Sequence, residues 1–153
     1  MYKSHVSEEI LKNIMQDIKK DGIQKIVVSA VIFLKENCPL LLKRTSDDFM
    51  GGLVEIPGGT MELSETVSDA LVREIKEETG LSVSIIESYL GHFDYISASG
   101  KKVRQLNFRV ATVDSDVVLS DEHEDFFVLN IFYEAYKKLN ISDETKKVIL
   151  SAL

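Results

Sequence analysis

The segment that covers residues 73–80 places three carboxylates on one face of a predicted helix. Glu74, Glu77 and Glu78 have the i, i+3 and i+4 spacing that brings helical side chains together. Gly80 is typical of the residue that follows a helix C-terminus. Each like-charge pair at this spacing costs about 0.2–0.5 kcal/mol, and acidic groups at this end also oppose the helix dipole. Arg73 offsets only part of that cost. Such a cluster indicates a functional site, and three hard oxygen ligands favour a divalent cation, Mg²⁺ first.

The residues upstream decide between this interpretation and a simpler one. An isolated E-x-x-E-E run is more typical of a solvated surface. Over residues 59–81, however, the sequence reads G-x5-E-x7-R-E-I-x-E-E-x-G-L, with Glu65 and Arg73 at two of the fixed positions. This pattern resembles the Nudix box, the signature of the MutT-like Nudix hydrolases, and every defining position is filled. The resemblance covers about residues 24–130.

The resemblance implies roles for the residues of the box. It implies that Glu74, Glu77 and Glu78 bind metal, and that one of them orients or deprotonates the attacking water. It implies that Glu65 supports the metal shell and that Arg73 orients the glutamates through charge-assisted hydrogen bonds. Without the resemblance, Glu65 would be an ordinary acid in the first turn of a helix and Arg73 an ordinary surface ion pair.

The resemblance also implies roles for residues before the helix. Gly58 and Gly59 are expected to let the backbone approach a metal, with a carbonyl as ligand and Gly59 beside the substrate. The alternative is a tight loop that needs glycine. Arg44, at the end of a predicted strand, is expected to contact a substrate phosphate, with a generic exposed arginine as the equal alternative.

A late acidic loop is the expected source of one more functional acid. Glu122 is the choice for an additional metal ligand or general base, and a solvated acidic loop is equally compatible with the sequence. Asp121, Glu124 and Asp125 compete for the role. His123, beside Glu122, is expected to be structural rather than to touch the substrate.

The pattern of apolar residues predicts an α+β domain. Residues 1–22 are expected to form a helical extension, and residues 57–81 a loop and a helix that begins at Ser64 as its N-cap. The resemblance sharpens the expected architecture to an α/β/α sandwich around a mixed β-sheet, in one domain over residues 1–153 with an extra N-terminal helix. Strands are expected at 23–34, 40–44, 53–56, 82–96, 102–113 and 126–129, loops at 45–52, 57–63 and 114–125, and short helices at 131–139 and 143–153.

Charge and cysteine content narrow the partners and the compartment. A net charge of −7 argues against a nucleic-acid partner, although bound cations can reverse the local sign and let an acidic site hold a pyrophosphate. The single cysteine, Cys38, cannot form an intramolecular disulfide and suits a cytoplasmic protein. The N-terminus has no signal-peptide shape, and the longest apolar run is too short for a bilayer, so no membrane partner is expected. The N-terminal helix is expected to pack on the domain or on a partner, such as the second subunit of a homodimer.

The expected activity is Mg²⁺-dependent hydrolysis of a nucleoside diphosphate linked to another moiety, with Mn²⁺ as a substitute and water attacking phosphorus. A nucleoside triphosphate is the leading substrate, cleaved to monophosphate and pyrophosphate. ADP-ribose and nucleotide sugars are alternatives, although the only prolines are Pro39 and Pro57 and the downstream proline of many ADP-ribose hydrolases is missing. A non-catalytic nucleotide-binding regulator on the same fold is the third reading. Phe93, Tyr95, Phe126 and Phe127 could stack on a base, or belong to the core.

Overall fold

The computed structural model describes residues 1–47 and 50–153. The loop expected at 45–52 includes residues 48 and 49, which lie outside the described residues. The helices are α1 (Glu8–Lys20), α2 (Val67–Thr79), α3 (Glu134–Lys137) and α4 (Asp143–Ser151), and the strands are β1 (Lys3–Ser4), β2 (Lys25–Val31), β3 (Phe33–Lys35), β4 (Cys38–Arg44), β5 (Val54–Glu55), β6 (Gly58–Thr60), β7 (Val83–Ile96), β8 (Lys102–Thr112) and β9 (His123–Val128).

The strands form two sheets. The first is mixed, in the order β1-β7-β8-β2-β6: β8 runs parallel to β2 and antiparallel to β7, and β6 pairs antiparallel with β2. The second sheet is antiparallel and centres on β4, which pairs with β3, β5 and β9. β4 therefore brings the end of β5 and the start of β9 to the same place, although these strands are far apart in sequence.

Helices cover both faces of the sheets because the central strands carry consecutive apolar residues, whose side chains point to opposite faces in turn. Val28 and Ala30 of β2 face a core that also contains residues of α1 and α2. Val31, on the opposite face of β2, and Leu41 of β4 pack against the chain from Ile131 onward, including α4. This arrangement confirms the expected α+β class. None of the described helices combines the length and apolar character needed to cross a bilayer.

The N-cap of helix α2 lies two residues later than the sequence predicted. Its N-cap is Thr66 rather than Ser64, because the Thr66 hydroxyl accepts the Asp69 N–H at 3.1 Å. Glu65 consequently lies before the helix, where it accepts the Glu62 N–H at 2.9 Å. The other end is as expected: Gly80 takes a left-handed conformation with φ 73°.

Two strand boundaries also differ from the prediction. Residues 58–60, expected in a loop, form β6 because their backbone pairs with β2. β9 begins at His123 rather than at residue 126, because its pairing with β4 continues through an irregularity as far as Arg44. Both differences bring backbone of the candidate site into a sheet, where its position is fixed by ladder hydrogen bonds.

The N-terminal helix packs on the core of the molecule. Ser7 caps α1 by accepting the Ile10 N–H at 3.2 Å, and Ile14 and Ile18 are buried. They belong to the same core as α2. Helix α1 was expected to pack either on the domain or on a partner, and the structure shows it packed on the domain. Strand β1, which the sequence did not predict, pairs in parallel with β7 at the edge of the sheet.

Candidate active site

The glycines of β6 allow the strand to lie directly against α2. A Cβ atom on Gly59 would overlap the carboxylate of Glu74, and one on Gly58 would overlap backbone and side-chain atoms of β2. Neither glycine has a positive φ. Glycine is therefore required here for the close approach of β6 to Glu74 and β2 rather than for a tight turn, and the expected approach of this backbone to a metal stays a prediction.

Of the three clustered carboxylates, Glu78 is buried and Glu74 is partly buried. The side chains of Glu74 and Glu78 are 13% and 7% exposed, whereas Glu77 is 57% exposed. The Gly58 N–H donates to Glu78 Oε1 at 2.7 Å. It is this N–H that contacts the cluster, and the carbonyl role expected for Gly58 stays a prediction.

Burial makes the negative charge of this pair unfavourable. Burial raises the pKa of Glu78 to about 8, and the charges of Glu55, Glu122 and Glu74 add to the rise, against the opposing Gly58 N–H. Burial also raises the pKa of Glu74, although Arg73 opposes that rise. The site therefore favours a proton or a metal cation beside these carboxylates.

Arg73 joins the carboxylates into one network. Its guanidinium donates to both Glu65 oxygens, at 2.5 and 2.7 Å, and Nη1 donates to Glu74 at 2.9 Å and to Glu77 at 3.1 Å. Nη2 also donates to the Thr60 carbonyl of β6. The two-pronged contact holds the pKa of Glu65 at about 2 and that of Arg73 above its usual range. The contacts expected of Arg73 with the glutamates are present.

His123 and Glu55 extend the network on the other side of Glu78. The His123 side chain is 1% exposed, with Nε2 at 2.9 Å from Glu55 Oε2 and Nδ1 at 3.6 Å from Glu78 Oε2. Among the described residues, Nδ1 has no hydrogen-bond partner. Glu55 also lies 3.5 Å from Arg44 Nε. His123, which the sequence suggested is structural, thus lies between two carboxylates of the candidate site.

Sequence analysis missed Glu55 altogether. The one available signal was its position, an acidic residue in a short apolar strand directly before the glycines of the box. No spacing rule connects it to His123, because 68 positions separate the two residues along the chain.

Glu122 is the acid of the late loop that reaches this cluster. A cluster of three possible ligand atoms, in which no two are more than 4.8 Å apart, takes one atom from each of Glu78, Glu122 and His123. Asp125, a competing candidate, instead accepts the N–H of Phe126 in β9. Glu122 and Arg44 also line an open cavity of about 490 Å³ with Thr45 and Asp47.

These donors fit a divalent cation. Carboxylate oxygens suit Mg²⁺ and Mn²⁺. The imidazole Nδ1 of His123, which has no hydrogen-bond partner within residues 1–47 and 50–153, lies 3.6 Å from Glu78 Oε2. Among the described residues, ligand atoms of Glu78, Glu122 and His123 lie together. Glu74 and Glu77 instead accept hydrogen bonds from Arg73, so their role as ligands stays a prediction.

An aromatic pair lies near the acidic cluster. The ring centroids of Phe93 and Tyr95 are 6.3 Å apart. Tyr95 is 41% exposed, and its pKa is raised by burial and by the charge of Glu55. Phe93 and Phe127 pack against the core of the α4 face, so Tyr95 and the partly exposed Phe126 are the rings left to meet a ligand.

Comparison with known proteins identifies the family. Residues 24–148 match the NUDIX domain. Because this match covers most of the chain, the protein belongs to the NUDIX family, and the resemblance carried by the box is confirmed.

Curated relatives share part of this chain. An ADP-ribose pyrophosphatase from Methanocaldococcus jannaschii is 41% identical over 93 residues, which are 60% of this chain and 53% of the relative. An 8-oxo-dGTP diphosphatase from Proteus vulgaris is 40% identical over 58 residues, 38% of this chain and 52% of the relative. The chain thus spans about half the length of the curated relatives it matches.

A solved structure supports the fold independently. The MutT NUDIX hydrolase from Burkholderia pseudomallei matches with a TM-score of 0.70 and 23% identity, over 84% of this chain and 98% of that one. At this identity the likeness concerns the fold alone, and it confirms the expected Nudix architecture.

Proposed function

We propose that this protein is a metal-dependent pyrophosphohydrolase that cleaves a nucleoside diphosphate linked to another moiety by attack of water on phosphorus. The observation that carries the proposal is the buried carboxylate of Glu78 with the partly buried Glu74 in the same cluster, whose negative charges are disfavoured without a cation. A non-catalytic regulator would have no need for this arrangement. The proposed ion is Mg²⁺, with Mn²⁺ as a substitute.

The carboxylates divide into ligands and supports. Glu74, Glu77 and Glu78 hold the cation, which when bound neutralises phosphate oxygens and lowers the pKa of water. Arg73 is a positioning residue, because its contacts with Glu74 and Glu77 fix their rotamers. Glu65 in turn fixes Arg73.

Glu122 is proposed to accept the proton of the attacking water. It is exposed, lines the open cavity and lies in the same ligand group as Glu78. A group in this position can reach both the metal shell and a substrate. Its role as an additional metal ligand is compatible with the same geometry.

The substrate is proposed to occupy the open cavity. Arg44, whose side chain is 30% exposed, supplies positive charge for a phosphate in an otherwise acidic cleft. Gly59 is proposed to lie beside the substrate, with the Glu74 carboxylate in the space that a Cβ atom would fill. Tyr95 offers an exposed ring for base stacking, which tolerates any base.

A nucleoside triphosphate is the leading substrate, and the 8-oxo-dGTP diphosphatase relative supports it. ADP-ribose is the second candidate, favoured by the longer match to the M. jannaschii relative. Homodimer formation and a cytoplasmic location stay predictions.

A substrate panel tests this proposal. The panel contains canonical and oxidised nucleoside triphosphates, ADP-ribose, nucleotide sugars, dinucleoside polyphosphates and NADH, each with Mg²⁺ or with EDTA. We expect Mg²⁺-dependent cleavage of one class with a nucleoside monophosphate among the products. Tight binding without cleavage of any compound would instead support the regulator.

A further inference from the structure

The buried histidine of the site has a fixed tautomer. Nε2 of His123 lies 2.9 Å from Glu55 Oε2, and because an ionised carboxylate can only accept, we assign the hydrogen to Nε2. In the neutral ring, Nδ1 then presents a lone pair. That atom is buried and, among the described residues, lacks a hydrogen-bond partner.

The lone pair faces another acceptor. Glu78 Oε2 lies 3.6 Å from Nδ1, too far for a good hydrogen bond. Two ligand atoms that share one cation, each about 2.0–2.2 Å from it, can have this separation. A ligand atom of Glu122 lies within 4.8 Å of one ligand atom each of Glu78 and His123.

We propose that Nδ1 of His123 is a direct ligand of the divalent cation, together with Glu78 and Glu122, and that Glu55 is the outer partner that fixes the ring. A metal-bound histidine whose second N–H donates to a carboxylate is a recurring arrangement in metal sites. The inference rests on the proposed function only in using the same cation.

An imidazole ligand changes which ion the site prefers. Carboxylate and water ligands suit Mg²⁺ and Mn²⁺, whereas imidazole binds transition metals better than it binds Mg²⁺. The position formed by Glu78, Glu122 and His123 is therefore expected to select Mn²⁺ over Mg²⁺ more strongly than a purely oxygen site does.

Pulsed electron paramagnetic resonance of the Mn²⁺-loaded, untagged full chain tests the ligand directly. We expect a nitrogen coupling of the size typical of a coordinated imidazole, and we expect it to change when the histidines are labelled with ¹⁵N. The chain has three histidines. The double variant His5→Gln/His92→Gln retains only His123 and should keep the coupling. A wild-type spectrum without coordinated histidine nitrogen would overturn the proposal and favour a charged His123 between two carboxylates.

Calorimetric titration supplies a second readout. We expect His123→Gln to weaken Mn²⁺ binding by at least about 10–100-fold, the loss that removal of an outer-shell partner already causes, and to weaken Mg²⁺ binding less. Glu55→Ala should act in the same direction, so the test does not depend on one variant folding. Equal losses for both ions would contradict a nitrogen ligand.

The outcomes separate this inference from the proposed function. Mg²⁺-dependent hydrolysis by a wild-type protein that lacks the nitrogen coupling would leave the function standing and remove His123 from the metal shell. Nitrogen coupling in a protein that cleaves no phosphoanhydride would support His123 as a metal ligand and contradict the proposed function.

Discussion

At the scale of single residues, Glu78 shows most clearly how folding and charge oppose each other. Its pKa of about 8 in the folded protein exceeds the value near 4.3 typical of an unfolded chain. The folded state therefore binds the proton more tightly. This contribution to stability is complete below about pH 4 and is lost as the pH rises to about 8.

We predict that Glu78→Gln stabilises the metal-free protein more at about pH 8 than at about pH 5. Glutamine keeps an oxygen that can accept the Gly58 N–H, but it cannot ionise. The expected gain at the higher pH is about 1–3 kcal/mol, measured by urea unfolding in EDTA. Glu9→Gln, on the exposed surface of α1, is the matched control. A gain that is equal at both pH values would contradict the burial argument.

Replacement of the adjacent residues Gly58 and Gly59 by alanine should affect different properties of the protein, stability in the first case and metal binding in the second. The Cβ of Gly59→Ala meets only the end of the Glu74 side chain, so we expect about tenfold weaker metal binding and a smaller loss of stability than for Gly58→Ala. The Cβ of Gly58→Ala meets β2 backbone, so we expect a clear loss of stability. Metal titration and thermal unfolding of both variants test this contrast. Equal effects on both quantities would contradict the geometry.

At the scale of elements, helix α2 shows what a sequence pattern can and cannot locate. The glutamates and Gly80 lie where the spacing predicted, because their positions depend on local helix geometry. The predicted start of the helix was wrong. Ser64 and Thr66 are both good N-cap residues, and which of them caps the helix depends on tertiary contacts. Arg73 fixes Glu65 outside the helix.

The cap assignment leads to a simple stability prediction. Thr66→Ala should cost about 1 kcal/mol, since it removes the oxygen that accepts the Asp69 N–H. Ser64→Ala, at the exposed position that the sequence favoured, should be nearly neutral. Urea unfolding of the two variants measures the difference. A larger loss for Ser64→Ala would mean that the helix begins earlier than described.

The strands show a different limit. The long strands were predicted from their β-branched residues, but β1 and β6 are too short to give a pattern and exist through pairing with distant strands. The contact between Glu55 and His123 also depends on the pairing of strands that are distant in sequence, so the sequence did not predict it. Their contact exists because β4 pairs with both β5 and β9, which no local periodicity reveals.

At the scale of the whole molecule, the candidate site lies where α2 meets both sheets. The mixed sheet supplies β6, and the antiparallel sheet supplies Glu55, Arg44 and His123. Helix α1 takes part in the core below α2 through Ile14 and Ile18. The N-terminal segment thus contributes to the stability of the same core that supports the site, even though it lies before the matched residues 24–148.

This packing predicts that α1 matters for stability. Ile18 is 6% exposed, and Ile18→Ala should destabilise the protein by about 2–4 kcal/mol. Ile10, on the same helix, is 42% exposed, so Ile10→Ala should cost much less. Both are measured by denaturant unfolding. Similar small effects would mean that α1 is only loosely attached to the core.

Hydrolysis in ¹⁸O-labelled water tests the central claim most directly. The wild type and Glu78→Gln would be compared on the best substrate of the panel, with Mg²⁺ and with EDTA, and the phosphate products analysed by ³¹P NMR. We predict ¹⁸O in one phosphate product of the wild type with Mg²⁺, no turnover in EDTA, and at least about a 100-fold lower kcat for Glu78→Gln. Near-normal turnover of Glu78→Gln, or turnover in EDTA, would contradict metal-dependent hydrolysis at this site.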